Sequence, residues 1–111
     1  KNKNYFKGEV VILVNETTQS QAEYTTMAFQ KAPKAIVVGS TTAGTDGDIS
    51  TFYLPGGIHT TITGIGVYYP NNQETQCIGI IPDLYIEPTL ESIKKESDHV
   101  LFKAVYLNKN K

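Results

Sequence analysis

The chain has 111 residues, 40% of them hydrophobic and 19% charged, with a net charge of −1. This is the length of one domain with a modest core, and with every basic residue a lysine and none an arginine it lacks the basic excess and the bidentate clamp that nucleic acid binding draws on. The single cysteine, Cys77, excludes an internal disulfide and a thiolate metal site.

Residues 1–8 read as a polar lead-in carrying Tyr5 and Phe6. The chain opens on Lys1-Asn2-Lys3-Asn4 with no initiator Met, so a processed piece of a longer protein is expected, and no signal peptide is visible. Residues 9–14 form a continuous aliphatic run, which suggests a strand buried on both faces. This is the longest apolar run, far too short to span a bilayer, so no membrane span is expected. Asn15 to Gln19 make a loop. From Ser20 to Ala32 the pattern is helical. Ala22, Thr25, Phe29 and Ala32 form the inward stripe, with Glu23, Gln30 and Lys31 left to solvent, and Pro33 ends the helix. Residues 35–38 are a second short buried strand, completing a parallel, right-handed βαβ unit.

Gly39 to Asp48 form a glycine-rich loop at the C-terminal end of that strand, where sites of open α/β sheets lie. The character then turns to β. Residues 49–54 alternate loosely, and Pro55-Gly56-Gly57 is a turn. Residues 58–69 read as a strand with breaks at Gly64 and Gly66, a signal of a bulge or of close backbone approach. Tyr69 to Asn72 is another turn, and Leu84 to Ile86 a short strand. Thr89 caps a short helix over 90–95, and Asp98 caps a final amphipathic helix over 98–107, with a frayed tail over 108–111.

Two readings stand for Ser20. A serine at the start of a helix, close to unpaired N–H groups and a positive dipole end, is placed to act as a nucleophile. Ser20-Gln21-Ala22-Glu23 is equally a capping box, S-x-x-E. A partner base is hard to find. Lys31 and Lys34 lie at the far end of the helix, roughly 15 Å or more away at 1.5 Å per residue. His59 sits in the β region and His99 at the start of the last helix. Asp46 and Asp48 could orient a base or contact substrate, or simply solvate the loop. The glycine loop lacks the phosphate-binding signatures, Cys77 has no activating neighbour in sequence, and no metal-ligand spacing appears, so no cofactor is expected.

Several segments together resemble the C-terminal processing peptidases, or tail-specific serine proteases, and their tricorn-like relatives. Val11 to Glu16 resembles the family's strand into the nucleophile loop. Gln19-Ser20-Gln21-Ala22-Glu23 resembles its S-x-S-x-S-E segment, placing the nucleophile on Ser20. Ile36 to Gly39 followed by Thr42-Ala43-Gly44 resembles V-V-G-x-x-T-x-G. Leu54 to Gly57 and Gly79 to Asp83 resemble L-P-x-G and G-I-x-P-D. The resemblance departs at Thr45, which stands where the processing peptidases have their lysine base, 25 residues after the serine. It is therefore closer to the tricorn type, in which a histidine upstream of the serine is the base; here such a histidine is expected outside the chain.

The resemblance implies an α/β fold of the Clp protease and crotonase kind, as a βαβ core followed by a β-rich segment and a C-terminal helix, with residues 1–111 forming the C-terminal portion of the catalytic domain. It implies a serine endopeptidase acting on peptide or protein substrates outside the cytoplasm, in the periplasm or cell envelope. Backbone N–H groups near Ser20 and Gln21 would serve the oxyanion, and Gly44, Thr45 and Asp46 would line the cleft. A non-catalytic ligand- or peptide-binding module of the same fold is the alternative. A partial domain leaves strand edges and apolar surface open, so self-association is expected.

Overall fold

The computed structural model describes residues 3–109, apart from the side chains of residues 108 and 109. Strand β1 (Val10–Val14) leads through a tight loop into helix α1 (Gln21–Gln30), which returns the chain to strand β2 (Ala35–Gly39). β1 and β2 pair in parallel, from Val10 opposite Ala35 to Val14 opposite Gly39. A two-residue strand β5 (Leu84–Tyr85) adds to the other side of β2, also in parallel, giving the order β1-β2-β5. The expected βαβ unit is present, with β2 as the central strand.

Burial follows from that order. Val37 and Val38 of β2 have no exposed surface. β1 is an edge strand of this sheet, and Leu13 is 40% exposed. The reading of β1 as buried on both faces is therefore corrected: only Val14 of the strand is fully buried, and an aliphatic run does not reveal how much of each face is covered. Helix α1 rests on β2, and helix α3 (His99–Lys109) rests on β1 and β2. Val14, Met27, Val37, Val38, Ile80 and Ala104 form the buried apolar core.

The inward stripe of α1 also differs from the expected one. Glu23, Thr26 and Met27 are buried, whereas Ala22, Thr25 and Phe29 are exposed. The helix is turned by about one position because a carboxylate, not an apolar side chain, anchors its first turn.

After β2 the chain crosses the glycine loop and forms the antiparallel hairpin of β3 (Asp48–Leu54) and β4 (Ile58–Ile65). Its register slips between Asp48 and Ile49, so that Gly64 is the extra residue and the expected bulge is found there. Ladder pairing stops at Ile65; beyond it only Tyr68 bridges to Glu74. Every residue of β3, and all of β4 except Thr60, is exposed. The projecting hairpin helps explain principal extents of 60 × 45 × 24 Å and a radius of gyration of 17.7 Å, against about 13 Å for a compact domain of 100 residues.

The remaining segments fasten the sheet. Asp83 Oδ2 accepts the Val37 N–H at 2.7 Å, supplying β2 with a hydrogen bond just before β5 begins to pair. The Gln30 side-chain amide donates to the Ile81 carbonyl at 3.0 Å. Helix α2 (Leu90–Lys94) is capped by Thr89, and Asp98 Oδ1 accepts the Leu101 N–H at 2.8 Å at the start of α3. α3 runs through Lys109, so the expected fraying of 108–109 is not found in the backbone, and 110–111 lie outside the described residues.

Candidate active site

The site is built where β1 and β2 end side by side. Gly39 closes β2 with φ +136°, and a Cβ there would stand 1.8 Å from the Val14 carbonyl oxygen. Only glycine lets the two strand ends approach this closely. The two loops leaving them are joined at once: the Ala43 N–H donates to the Thr18 carbonyl at 2.9 Å. Asn15 folds the first loop through its side chain, which accepts from the Thr17 N–H at 3.1 Å and the Thr17 hydroxyl at 2.7 Å.

Glu23 is the centre of the site. It is read from sequence as a solvent-facing residue, yet it is 0% exposed. Its Oε1 accepts from the Thr42 hydroxyl and from the Gly44 N–H at 2.8 Å. Its Oε2 accepts from the Ser20 N–H and the Thr45 N–H, both at 2.9 Å, with the Thr45 hydroxyl at 3.3 Å. All of these donors are neutral. Burial pushes the Glu23 carboxyl up, but the hydrogen bonds from Thr42, Gly44, Ser20 and Thr45 together carry it below the usual carboxylate value. The carboxylate is thus held ionised by dipoles rather than by a counter-charge.

Ser20 is exposed and adopts φ 53°, ψ −122°. A positive φ is unfavourable for a residue with a Cβ and costs about 1–3 kcal/mol. Its hydroxyl makes no capping hydrogen bond; the Glu23 N–H goes to the Ser20 backbone carbonyl at 2.8 Å instead. The glutamate half of the expected capping box is a full hydrogen bond, whereas the Ser20 side chain faces the Glu23 N–H in box geometry without completing one. Thr89 provides the comparison within the same chain. It has φ −93°, ψ 156°, and its hydroxyl oxygen accepts the Ser92 N–H at 3.1 Å, as an N-cap side chain does.

The expected oxyanion donors separate. The Ser20 N–H is taken by Glu23. The Gln21 N–H, at the first position of α1, has no acceptor among the described residues, and it lies at the positive end of the helix dipole. Of the expected cleft residues, Thr45 is exposed. Because its N–H shares one oxygen of Glu23 with the Ser20 N–H, the structure brings positions 20 and 45 together. Gly44 is buried with φ +70°, and a Cβ on it would meet the backbone of Cys77, Ile78 and Gly79 at 3.1 Å. It packs closely against that backbone.

Asp46 is also turned inward, at 4% exposure. Its Oδ1 accepts the Gly47 N–H at 3.0 Å, and the Thr75 hydroxyl lies 3.4 Å from Oδ2. Burial and the nearby charge of Glu23 raise its carboxyl above the usual value, against the opposing hydrogen bonds from Gly47 and Thr75. Asp48 starts β3 and folds onto its own neighbour, accepting the Ile49 N–H at 2.9 Å.

None of the lysines or histidines considered as a base is placed against Ser20. Lys31 lies over the Tyr69 ring at 5.4 Å, and Lys34 donates to the Lys7 carbonyl at 3.1 Å. His59 packs edge-on against Tyr53 in the hairpin, with ring centroids 5.3 Å apart. His99 lines a cavity of about 380 Å³ with Glu16, Thr18 and Ser40 at the strand ends. Cys77 is exposed, with φ 63° and its N–H on the Gly44 carbonyl at 2.7 Å. No group of three or more His, Cys, Asp or Glu among the described residues is arranged to hold a metal.

Sequence reasoning missed Glu23 and Thr42 as site residues. The signal available for Glu23 was its place in the S-x-x-E box, which requires its carboxylate to turn back toward the helix start. Nothing in the spacing marks Thr42.

The model of peptidase family S41 matches residues 1–86. Among solved structures, a candidate peptidase from Parabacteroides merdae is 27% identical, with a TM-score of 0.82 over 92% of this chain and 32% of its own. The tricorn protease is 20% identical, with a TM-score of 0.76 over 91% of this chain and 10% of its own. The photosystem II D1 C-terminal processing protease is 24% identical, with a TM-score of 0.64 over 74% of this chain and 21% of its own. The chain therefore spans a third or less of the length of these relatives. No curated protein matches it. The shared architecture is the α/β fold of the Clp protease and crotonase kind. No helix among the described residues is long and apolar enough to cross a membrane.

Proposed function

The chain belongs to peptidase family S41, and we propose that it is the nucleophile-bearing, C-terminal portion of the catalytic domain of a serine endopeptidase. The observation that carries this reading is Ser20 itself. A serine kept only as a cap would adopt the extended backbone and engaged hydroxyl of Thr89. Ser20 instead has a positive φ and an exposed side chain that completes no capping hydrogen bond, and the Gln21 N–H after it is open among the described residues, as is the Leu90 N–H after Thr89. Strain held at one exposed serine on a strand-to-helix turn is the mark of a nucleophile rather than of a cap.

In this reading Ser20 Oγ attacks the peptide carbonyl, forming the C–O bond of a tetrahedral intermediate whose oxyanion receives the Gln21 N–H. The hydroxyl proton passes to a general base and from it to the departing amine as the C–N bond breaks. Water then releases the acyl group from Ser20 by the same proton path. Thr45 occupies the position beside Ser20 where the processing peptidases carry lysine, and it has no basic group. The base is assigned to the part of the whole protein beyond this chain.

A binding module that no longer cleaves is the second reading, favoured by Thr45 and by an apolar cavity of about 470 Å³ bordered by Tyr5, Phe6, Val10 and Phe29. A serine-directed fluorophosphonate probe applied to the whole protein and to its Ser20→Ala variant decides between them. The endopeptidase reading expects labelling that Ser20→Ala abolishes. Absence of Ser20-dependent labelling together with absence of peptide cleavage sinks it.

Two further expectations belong to this reading. The whole protein is placed outside the cytoplasm on the family resemblance, and cell fractionation that finds it only in the cytosol removes that placement. The isolated chain self-associates through its hairpin, where Phe52, Leu54, Ile58 and Ile62 share one exposed face. Sedimentation as a stable monomer at high concentration counts against this.

A further inference from the structure

We infer that Glu23 is the positioning residue of the nucleophile: its ionised carboxylate ties the Ser20 turn to the loop over residues 42–45 and so holds the serine in its exposed, positive-φ conformation. The inference rests on the reading of Ser20 as nucleophile and adds the means by which the serine is kept available.

The argument begins with the needs of a helix start. The first N–H groups of α1 require acceptors, and a serine at the N-cap ordinarily supplies its own oxygen. A serine so engaged points its hydroxyl along the helix and loses one lone pair to the backbone. Here the Ser20 N–H is turned inward onto Glu23 Oε2 at 2.9 Å. That orientation of the peptide before Ser20 goes with its φ of 53°; the following N–H, that of Gln21, is open, as the first N–H of a helix ordinarily is. The contact therefore accompanies the strained backbone and fixes the turn that carries the hydroxyl.

The same carboxylate fixes what stands opposite. Oε2 also takes the Thr45 N–H, and Oε1 takes the Gly44 N–H and the Thr42 hydroxyl. Thr42 in turn accepts the Ile80 N–H at 2.7 Å. Glu23 thus sets the distance between the serine turn and the loop facing it. Glu23 divides its oxygens between the nucleophile turn and the opposing loop, and all its donors are neutral. Its burial is tolerated because each oxygen is saturated with hydrogen bonds.

Glu23→Gln is the informative variant. The Thr42 and Thr45 hydroxyls can rotate to accept from the new amide, so the fold is expected to survive. The backbone N–H groups cannot reverse, and those facing the NH₂ lose their acceptor. In the whole protein, Glu23→Gln is expected to lower the fluorophosphonate labelling rate, and kcat for a cleaved peptide, by about 10²-fold, the scale of a small misplacement of a reacting group. KM is expected to stay within about threefold, since the variant removes no contact to substrate.

If the wild type labels and Glu23→Gln labels within about threefold of its rate, this inference alone is overturned. If the wild type does not label, the Ser20 reading fails, and the positioning role fails with it. If Glu23→Gln does not fold, amide hydrogen exchange on the wild-type chain carries the test. Ser20 and Thr45 amides are expected to be protected and the Gln21 amide open. A Ser20 amide that exchanges as fast as that of Gln21 overturns the inference.

Discussion

Replacing Thr42 with valine tests the buried polar network with almost no change of shape. Thr42 is buried, and its hydroxyl donates to Glu23 Oε1 while accepting the Ile80 N–H at 2.7 Å. Valine removes both contacts. Loss of a hydrogen bond to a charged group costs about 1.5–3 kcal/mol, and leaving the N–H of the fully buried Ile80 without an acceptor costs about 1–3 kcal/mol more. A combined loss of about 3–5 kcal/mol is a large share of the roughly 5–15 kcal/mol that stabilises a domain. With an m value of about 2 kcal/mol/M, the urea midpoint should fall by about 2 M. Thr42→Ser keeps the hydroxyl and should lose far less. The loss should also depend on pH. The folded Glu23 carboxyl lies below its ordinary value of 4.5, so its stabilisation is complete above that value and is lost as pH falls through the lowered one. Removing the Thr42 hydroxyl reduces that depression. The gap between wild type and Thr42→Val should therefore be widest near neutral pH and narrow in acid. A loss below about 1 kcal/mol, or an equal loss in Thr42→Ser, refutes the network as described.

Gly39→Ala should be more disruptive than its size suggests, because its Cβ would fall 1.8 Å from the Val14 carbonyl oxygen at φ +136°. A cost above about 3 kcal/mol is expected from strain and overpacking together, read as loss of cooperative thermal unfolding or a steep fall in Tm. Asp83→Ala removes the acceptor for the N–H of the fully buried Val37 at 2.7 Å and should cost about 2–3 kcal/mol, measured by urea unfolding; Asp83→Asn, which keeps a carbonyl oxygen, should lose less. Asp46→Asn should stabilise the chain at neutral pH, since the Asp46 carboxyl is raised above 3.8 by burial, opposed by Gly47, with the Glu23 charge adding to the rise. The sign follows from that direction: the wild-type group favours the folded state fully below its unfolded value and loses this as pH rises through the folded one. The advantage of Asp46→Asn should thus vanish in strong acid, and a variant less stable than wild type at pH 7 contradicts it.

The parts of the fold legible in the sequence were those with a local cause. The strand before Asn15, the helix ended by Pro33 and the strand over 35–38 each follow from composition and punctuation. Thr89 and Asp98 were readable as caps because capping is decided within three residues. Gly64 announced a bulge that the hairpin register confirms. What the sequence concealed depends on partners distant along the chain. Whether β1 is central or an edge strand is set by β5, some seventy residues later, and an aliphatic run reads the same in both positions. The inward face of α1 was misread because periodicity counts apolar side chains, and the deepest residue of its first turn is a glutamate.

That misreading is also the clearest lesson about the site. A carboxylate is assigned to solvent by default because its desolvation is costly, and the default fails only where enough donors converge to offset the cost. The donors here are backbone groups of Gly44 and Thr45 and the hydroxyl of Thr42, and no residue type identifies a backbone N–H in advance. The clue that could have been weighed lies in the box Ser20-Gln21-Ala22-Glu23. A capping box is symmetric on paper, with serine and glutamate each satisfying the other's backbone. In the folded chain it is uneven: the glutamate completes its hydrogen bond and the serine side chain, though in box geometry, does not. The genuine two-sided box sits at Thr89 and Ser92. The difference between them is not in the motif but in the loop opposite, where Gly44, with a positive φ, lets the backbone present the Gly44 and Thr45 N–H groups to Glu23. The glycine loop and the serine are thus one device, and the carboxylate between them makes a helix cap into a candidate nucleophile.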